Sequence, residues 1–87
     1  MNTIELIKKA MKEKKIIIGQ RETLRNVKQG KVSTVIFANN APKLITQEME
    51  NLAGIGKINV LTIKKDNLGL GATCRKQFAI MVVSILT

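Results

Sequence analysis

The chain has 87 residues, 15 Lys plus Arg against 6 acids, a formal net charge of +9, and a single cysteine with no His, Tyr or Trp. That length predicts one domain with a modest core, and that charge favours a polyanionic partner, with a basic surface kept for solubility as the competing reading. One cysteine excludes an internal disulfide, and the missing histidine and aromatic rings remove the commonest general base and most platforms for stacking single strands.

Taken in chain order, residues 3 to 14 predict an amphipathic helix. Ile4, Ile7 and Met11, with Leu6 and Ala10, follow helical spacing, and Asn2 stands three residues before Glu5 as a capping pair. Lys8, Lys9, Lys12, Lys14 and Lys15 fill the other face; a solvated face is the preferred reading of this cluster over RNA contact. Ile16 to Ile18 form a short β-branched run that predicts a buried strand. Gly19 breaks it, and a helix from about Arg21 to Gln29 follows, with a thin stripe of Leu24 and Val27 beside Thr23 and a stop at Gly30. A strand ending in glycine at a helix N-terminus leaves backbone N–H groups free for an anion such as phosphate. Arg21, Arg25, Lys28 and Lys31 add charge to the same element. The charge is uneven: residues 1 to 31 hold nine Lys/Arg against three Glu, the remainder six against three acids.

Val32 to Ala38 predicts the second strand, and Asn39-Asn40-Ala41-Pro42 a turn and helix entry. Asn39 and Asn40 carry two readings of equal weight: turn and cap residues, or ligand contacts at a strand C-terminal end. A third helix spans 43 to 55, with Ile45, Met49, Leu52 and Ala53 inward, ended by Gly54 and Gly56. Asn59 to Ile63 is a third strand, Asp66 or Asn67 caps a short helix over 68 to 76, and 80 to 86 is the last strand. Gly69 and Gly71 match no phosphate-loop motif. The regular alternation predicts an α/β fold: a three-layer α/β/α sandwich around a four-stranded, mixed sheet.

An enzyme would need Cys74 as nucleophile without a histidine to activate it, and burial of that thiol is the stronger reading. No metal or cofactor is implied, since one Cys and no His make no ligand set. The apolar stretch from Ala79 to Leu86 is far short of a membrane span, and the N-terminus has no signal-type run, so a cytoplasmic location is expected.

Four stretches occur in a familiar order: 16 to 31 (IIIGQRETLRNVKQGK), 35 to 42 (VIFANNAP), 70 to 76 (LGATCRK) and 82 to 86 (VVSIL). Together they resemble the kink-turn RNA-binding family of ribosomal proteins, the L7Ae/L30e group, and within it the large-subunit branch of archaea and eukaryotes. The resemblance implies a structural protein without enzymatic activity. Its partners would be ribosomal RNA with a kink-turn, a sharply bent internal loop with sheared G·A pairs, and other ribosomal components. A small-RNA particle protein of the same family is the alternative, and a protein-interaction scaffold the alternative of a different class. Matched residue by residue, the resemblance places Gly19 where backbone approaches RNA. It places Gln20, Arg21 and Glu22 toward the bent RNA, and Arg25 at a phosphate, with Lys28 on the same helix. Asn39 and Asn40 fall near that surface, and Arg75, Lys76 and Phe78 in the flanking loop, Phe78 with core packing as its competing reading. The chain departs from the pattern at Gly69, where relatives carry an acid, at Arg75, where they carry glycine, and in stopping at Thr87 without an acidic tail.

Overall fold

A computed structural model describes residues 3–56 and 58–87. The elements run α1 (Thr3–Lys12), β1 (Ile16–Ile18), α2 (Gln20–Lys28), β2 (Val32–Phe37), α3 (Lys43–Gly56), β3 (Asn59–Thr62), α4 (Asn67–Thr73) and β4 (Val82–Leu86). The sheet order is β1-β4-β2-β3. β4 pairs antiparallel with both β1 and β2, whereas β2 and β3 are parallel. The sheet is therefore mixed, and it has the four strands that the alternation of elements predicted. The capping pair expected at Asn2 lies outside the described residues, as does the side chain of Ala53.

Both faces of the sheet are covered, because the strands are apolar on both sides. Along β2 and β4, alternate residues point to opposite layers. Ile36 and Val83 join Ile7, Leu70, Cys74 and Ile80 under α1 and α4. Val35, Phe37 and Val82 join Val27 and Met49 under α2 and α3. The Cys74 thiol is fully buried, and that burial pushes its pKa up against the opposing pull of Lys76. It packs as a small apolar side chain.

Helix α2 has little apolar surface, and its anchoring depends on a polar pair. Thr23 and Ser84 are both fully buried, and the Thr23 hydroxyl donates to Ser84 Oγ at 3.2 Å. The pair satisfies two hydroxyls that would otherwise be costly to bury. It also sets the rotation of α2, with Thr23 and Val27 inward and Arg21, Arg25 and Lys28 exposed.

The C-terminal ends of α1 and α4 differ from the sequence reading for one shared reason. Three helices end on the same reverse-turn motif, in which the residue after the cap turns left-handed and the next N–H reaches back five residues. In α2 this residue is Gly30, at φ 71°, with Lys31 N–H on the Asn26 carbonyl at 3.1 Å. In α1 it is Lys14 (φ 57°), with Lys15 N–H on Ala10. In α4 it is Arg75 (φ 58°), with Lys76 N–H on Gly71. The motif needs no glycine, so α1 and α4 stop earlier than their apolar spacing predicts. Strand β4 likewise begins at Val82 rather than residue 80, because the segment after α4 first folds back on that helix. Ile80 N–H donates to the Asn67 carbonyl at 2.9 Å. Gly54 does not end α3; the helix passes through it to Gly56.

Candidate nucleic-acid interface

The C-terminal ends of β1, β2 and β3 meet the N-terminal end of β4 at one edge of the sandwich. Gly19 N–H donates to the Val82 carbonyl (3.0 Å), and Ala38 N–H to the Met81 carbonyl (2.8 Å). Asn39 N–H donates to the Lys65 carbonyl at 2.9 Å. These three bonds draw the β1–α2 junction, the β2–α3 loop, the β3–α4 loop and the start of β4 onto one surface.

Gly19 is the N-cap of α2, with φ 106° and ψ 155°. This conformation is nearly closed to residues with a side chain. A Cβ built there would meet nothing within 4 Å, so the space beyond Gly19 is open. The first α2 turn closes with Thr23 N–H on the Gly19 carbonyl at 3.1 Å, and no side chain caps the helix. The N–H groups of Gln20, Arg21 and Glu22 therefore have no acceptor within the helix and stand on its exposed first turn. Along one flank of α2, Arg21, Arg25 and Lys28 line a shallow depression of 390 Å³ with Leu24 and Gln29. Glu22 lies apart from this strip, and its backbone carbonyl accepts from Asn26 Nδ2 at 2.7 Å.

The two asparagines play different parts. Asn40 Oδ1 accepts from Asn67 N–H (2.9 Å), and its Nδ2 donates to Asn67 Oδ1 (3.0 Å). Its side chain thus satisfies the first N–H of α4 and ties the β2–α3 loop to that helix. Asp66, the α4 N-cap, accepts from Gly69 N–H at 2.8 Å. Asn39 uses its backbone N–H for the link to Lys65, and its side chain is exposed. So the cap reading holds for Asn40 and leaves the Asn39 amide available.

Phe78 is 58% exposed, which excludes the core-packing reading. Its carbonyl oxygen sits over Gly71, where a Cβ would overlap it. Lys76 is exposed on the same loop. Arg75 is placed differently: it lines a groove with Lys8, Met11 and Lys12 of α1.

Among the described residues, three large apolar side chains are exposed: Leu44 (83%), Leu68 (67%) and Phe78. Leu44 and Leu68 are the second residues of α3 and α4, the two helices that follow the loops joined by Asn40 and Asn67. The sequence signal for both was their phase. Leu44 falls one residue before the inward stripe that begins at Ile45, and Leu68 falls two before the buried Leu70. Asn67 was read only as a candidate cap, although it braces this surface together with Lys65.

The ribosomal protein L7Ae/L30e/S12e/Gadd45 family model matches residues 1–87. A large ribosomal subunit protein eL30 from Branchiostoma belcheri is 37% identical over 75 residues, which is 86% of this chain and 66% of that protein. The protein of the same name from Spodoptera frugiperda is 36% identical over the same shares. The matched stretch thus spans just under two thirds of these relatives' own length. Among solved structures, a Giardia lamblia 15.5kD RNA binding protein superposes with a TM-score of 0.85 at 26% identity, over 97% of this chain and 70% of that one. A Bacillus halodurans protein of unknown function also superposes with a TM-score of 0.85, at 19% identity over 97% and 83%, and bears on the fold alone. With the family model matched from first residue to last and the mixed-sheet sandwich in place, the chain belongs to the L7Ae/L30e/S12e/Gadd45 family of ribosomal proteins.

Proposed function

We propose that this protein is a structural RNA-binding component of the large ribosomal subunit, working in the cytoplasm on the ribosome, and that it recognises a kink-turn-like internal loop. The observation that carries the reading is the β1–α2 junction. Open space beyond Gly19, three N–H groups without a helical acceptor and the Arg21/Arg25/Lys28 strip occur there on one element. Backbone N–H groups and guanidinium groups suit phosphates, and the polar Gln20, Glu22 and Asn39 suit base edges. A sharply bent RNA presents both in a small area, and its recognition by shape and phosphate needs no row of stacking rings. Phe78, exposed on the flanking loop, supplies one apolar surface for a base, with Lys76 beside it. The ribosomal names of the curated relatives and the RNA-binding name of the Giardia neighbour support the same reading. The relatives carry ribosomal names, and the burial of Cys74 supports a packing role for its thiol rather than a nucleophilic one.

Arg25 tests the placement of the strip. Arg25→Ala is expected to weaken RNA binding across sequences and to flatten the dependence of log K on log salt by about one unit. A salt titration of the variant checks it. An unchanged slope removes Arg25 from the phosphate contacts.

A further inference from the structure

A second basic surface runs along the groove between α1 and α4. One end is a hollow of 440 Å³ lined by Lys8, Lys65, Gly69, Thr73 and Arg75 among others. It continues into a hollow of 430 Å³ lined by Lys8, Met11, Lys12 and Arg75. Lys8 and Arg75 border both. No acid lines either hollow, and none of the four cations has an ion-pair partner among the described residues. Asp66, next to Lys65 in sequence, has its Oδ1 engaged as the α4 cap.

Lys8 and Lys12 are one turn apart on α1, a like-charge spacing whose repulsion is set against the favourable place of Lys12 in the last turn. Two features of this groove run against what the fold alone favours. Arg75 holds a left-handed conformation (φ 58°) at a helix end where glycine is preferred. Gly69, in the first turn of α4, carries no side chain; a Cβ there would lie 2.8 Å from Lys65 Cβ, so the glycine makes room for Lys65 over the helix. Local propensity therefore yields at two points, each of which places positive charge along the groove.

The groove is also continuous with the strand-end surface. Lys65 is the corner: its backbone carbonyl holds Asn39 N–H, and its side chain begins the groove. From there the cations follow α4 to Arg75 and cross to Lys8 and Lys12.

We propose that this groove is a second phosphate track, which carries the backbone of an RNA stem leaving the strand-end site. The inference rests on the reading of that site as RNA-binding and replaces the solvated-face reading for Lys8 and Lys12. Four cations without an ion-pair partner among the described residues suit a polyanion, and a nucleic-acid backbone is the polyanion that a surface continuous with the strand ends would meet.

The test compares the wild type with a Lys8→Gln/Lys12→Gln/Lys65→Gln variant in salt titrations. Two RNAs are used: a kink-turn with stems on both sides, and the same RNA with its sheared G·A pairs replaced by Watson–Crick pairs. All three lysines are exposed, and circular dichroism checks that the fold is kept. The track predicts a salt slope lower by two to three units, on the basis of about 0.9 per phosphate contact. It also predicts affinity lower by roughly tenfold or more at about 0.1 M salt, with the preference between the two RNAs unchanged. A slope equal to that of the wild type overturns it. Loss of binding to poly-glutamate with an unchanged RNA slope overturns it too, and assigns the groove to an acidic protein. If the wild type shows no preference between the two RNAs, the kink-turn reading falls, while the slope difference still decides the groove. Arg75→Gly supplies an independent arm. It should raise the urea midpoint of unfolding by relieving the left-handed residue, yet flatten the RNA slope by about one unit. A raised midpoint with an unaltered slope takes Arg75 out of the track.

Discussion

Gly71→Ala is expected to destabilise the fold by roughly 1–3 kcal/mol or more, the cost of forcing extra volume into a packed site. The glycine is buried within α4, and the space of its missing side chain is filled by the Phe78 carbonyl oxygen. Neither partner yields easily. The Gly71 carbonyl accepts from Lys76 N–H (2.9 Å), and Ile80 N–H is held by Asn67 (2.9 Å), so the loop is pinned on both sides of Phe78. Leu70, adjacent in the helix, is fully buried and prevents α4 from shifting outward. The damage should reach the strand-end surface, because the same loop delivers Met81 and Val82 to their bonds with Ala38 and Gly19. Urea unfolding monitored by circular dichroism checks the size of the effect. Gly54→Ala is the control: that glycine lies in α3 with nothing within 4 Å of a Cβ, and the change should stabilise by about 0.5–1 kcal/mol. Equal stability of Gly71→Ala and wild type would contradict the packing of the loop on α4.

Gly19→Ala should act twice. The backbone at φ 106° and ψ 155° is strained for any residue with a Cβ, at a cost of about 1–3 kcal/mol. The methyl group itself meets no protein atom, so the variant should still fold. Its RNA affinity should fall by about tenfold or more, equivalent to at least about 1.4 kcal/mol, because the methyl group enters the open space where RNA backbone is to lie. Gly30→Ala separates the two effects. Gly30 is also left-handed (φ 71°) with open space around it, but it stands at the opposite end of α2. It should lose stability and keep its RNA affinity. Equal affinity losses in the two variants, measured under conditions where both are folded, would mean that strain alone weakens binding and that RNA does not approach Gly19.

Much of this architecture was legible in the chain. The strand at Ile16 to Ile18 ending at Gly19, the charged α2 and the stop at Gly30 each involve neighbours in sequence, and local chemistry determines them; the burial expected of that strand was not met, because β1 lies at the sheet edge and is only half-buried. The alternation of helices and strands predicted helices on both faces of the sheet, and the two apolar clusters lie there. What escaped depends on contacts between distant residues. Thr23 and Ser84 are 61 residues apart, and a threonine on a polar helix gives no sign that its partner is a serine inside the last strand. Asn40 and Asn67, 27 residues apart, were each legible as turn or cap residues, but their mutual bonding was not. Boundaries failed where a lysine or arginine took the left-handed position that glycine usually marks, as at Lys14 and Arg75. The α1 lysines looked like a solvated face because the sequence does not show which helix they stand beside. Packed together, α1 and α4 make a groove out of charges more than fifty residues apart in the chain.

The most direct test of the central claim is a binding titration of the unaltered protein across salt concentrations, with a kink-turn RNA and with its Watson–Crick-paired control. The account predicts tight binding to the kink-turn and a large loss on the control that persists at every salt concentration, because shape and base edges rather than phosphate number separate the two RNAs. Equal, steeply salt-dependent binding to both would contradict it, and would leave a general basic RNA binder in which Gly19, Gln20, Glu22 and Asn39 have no selective part.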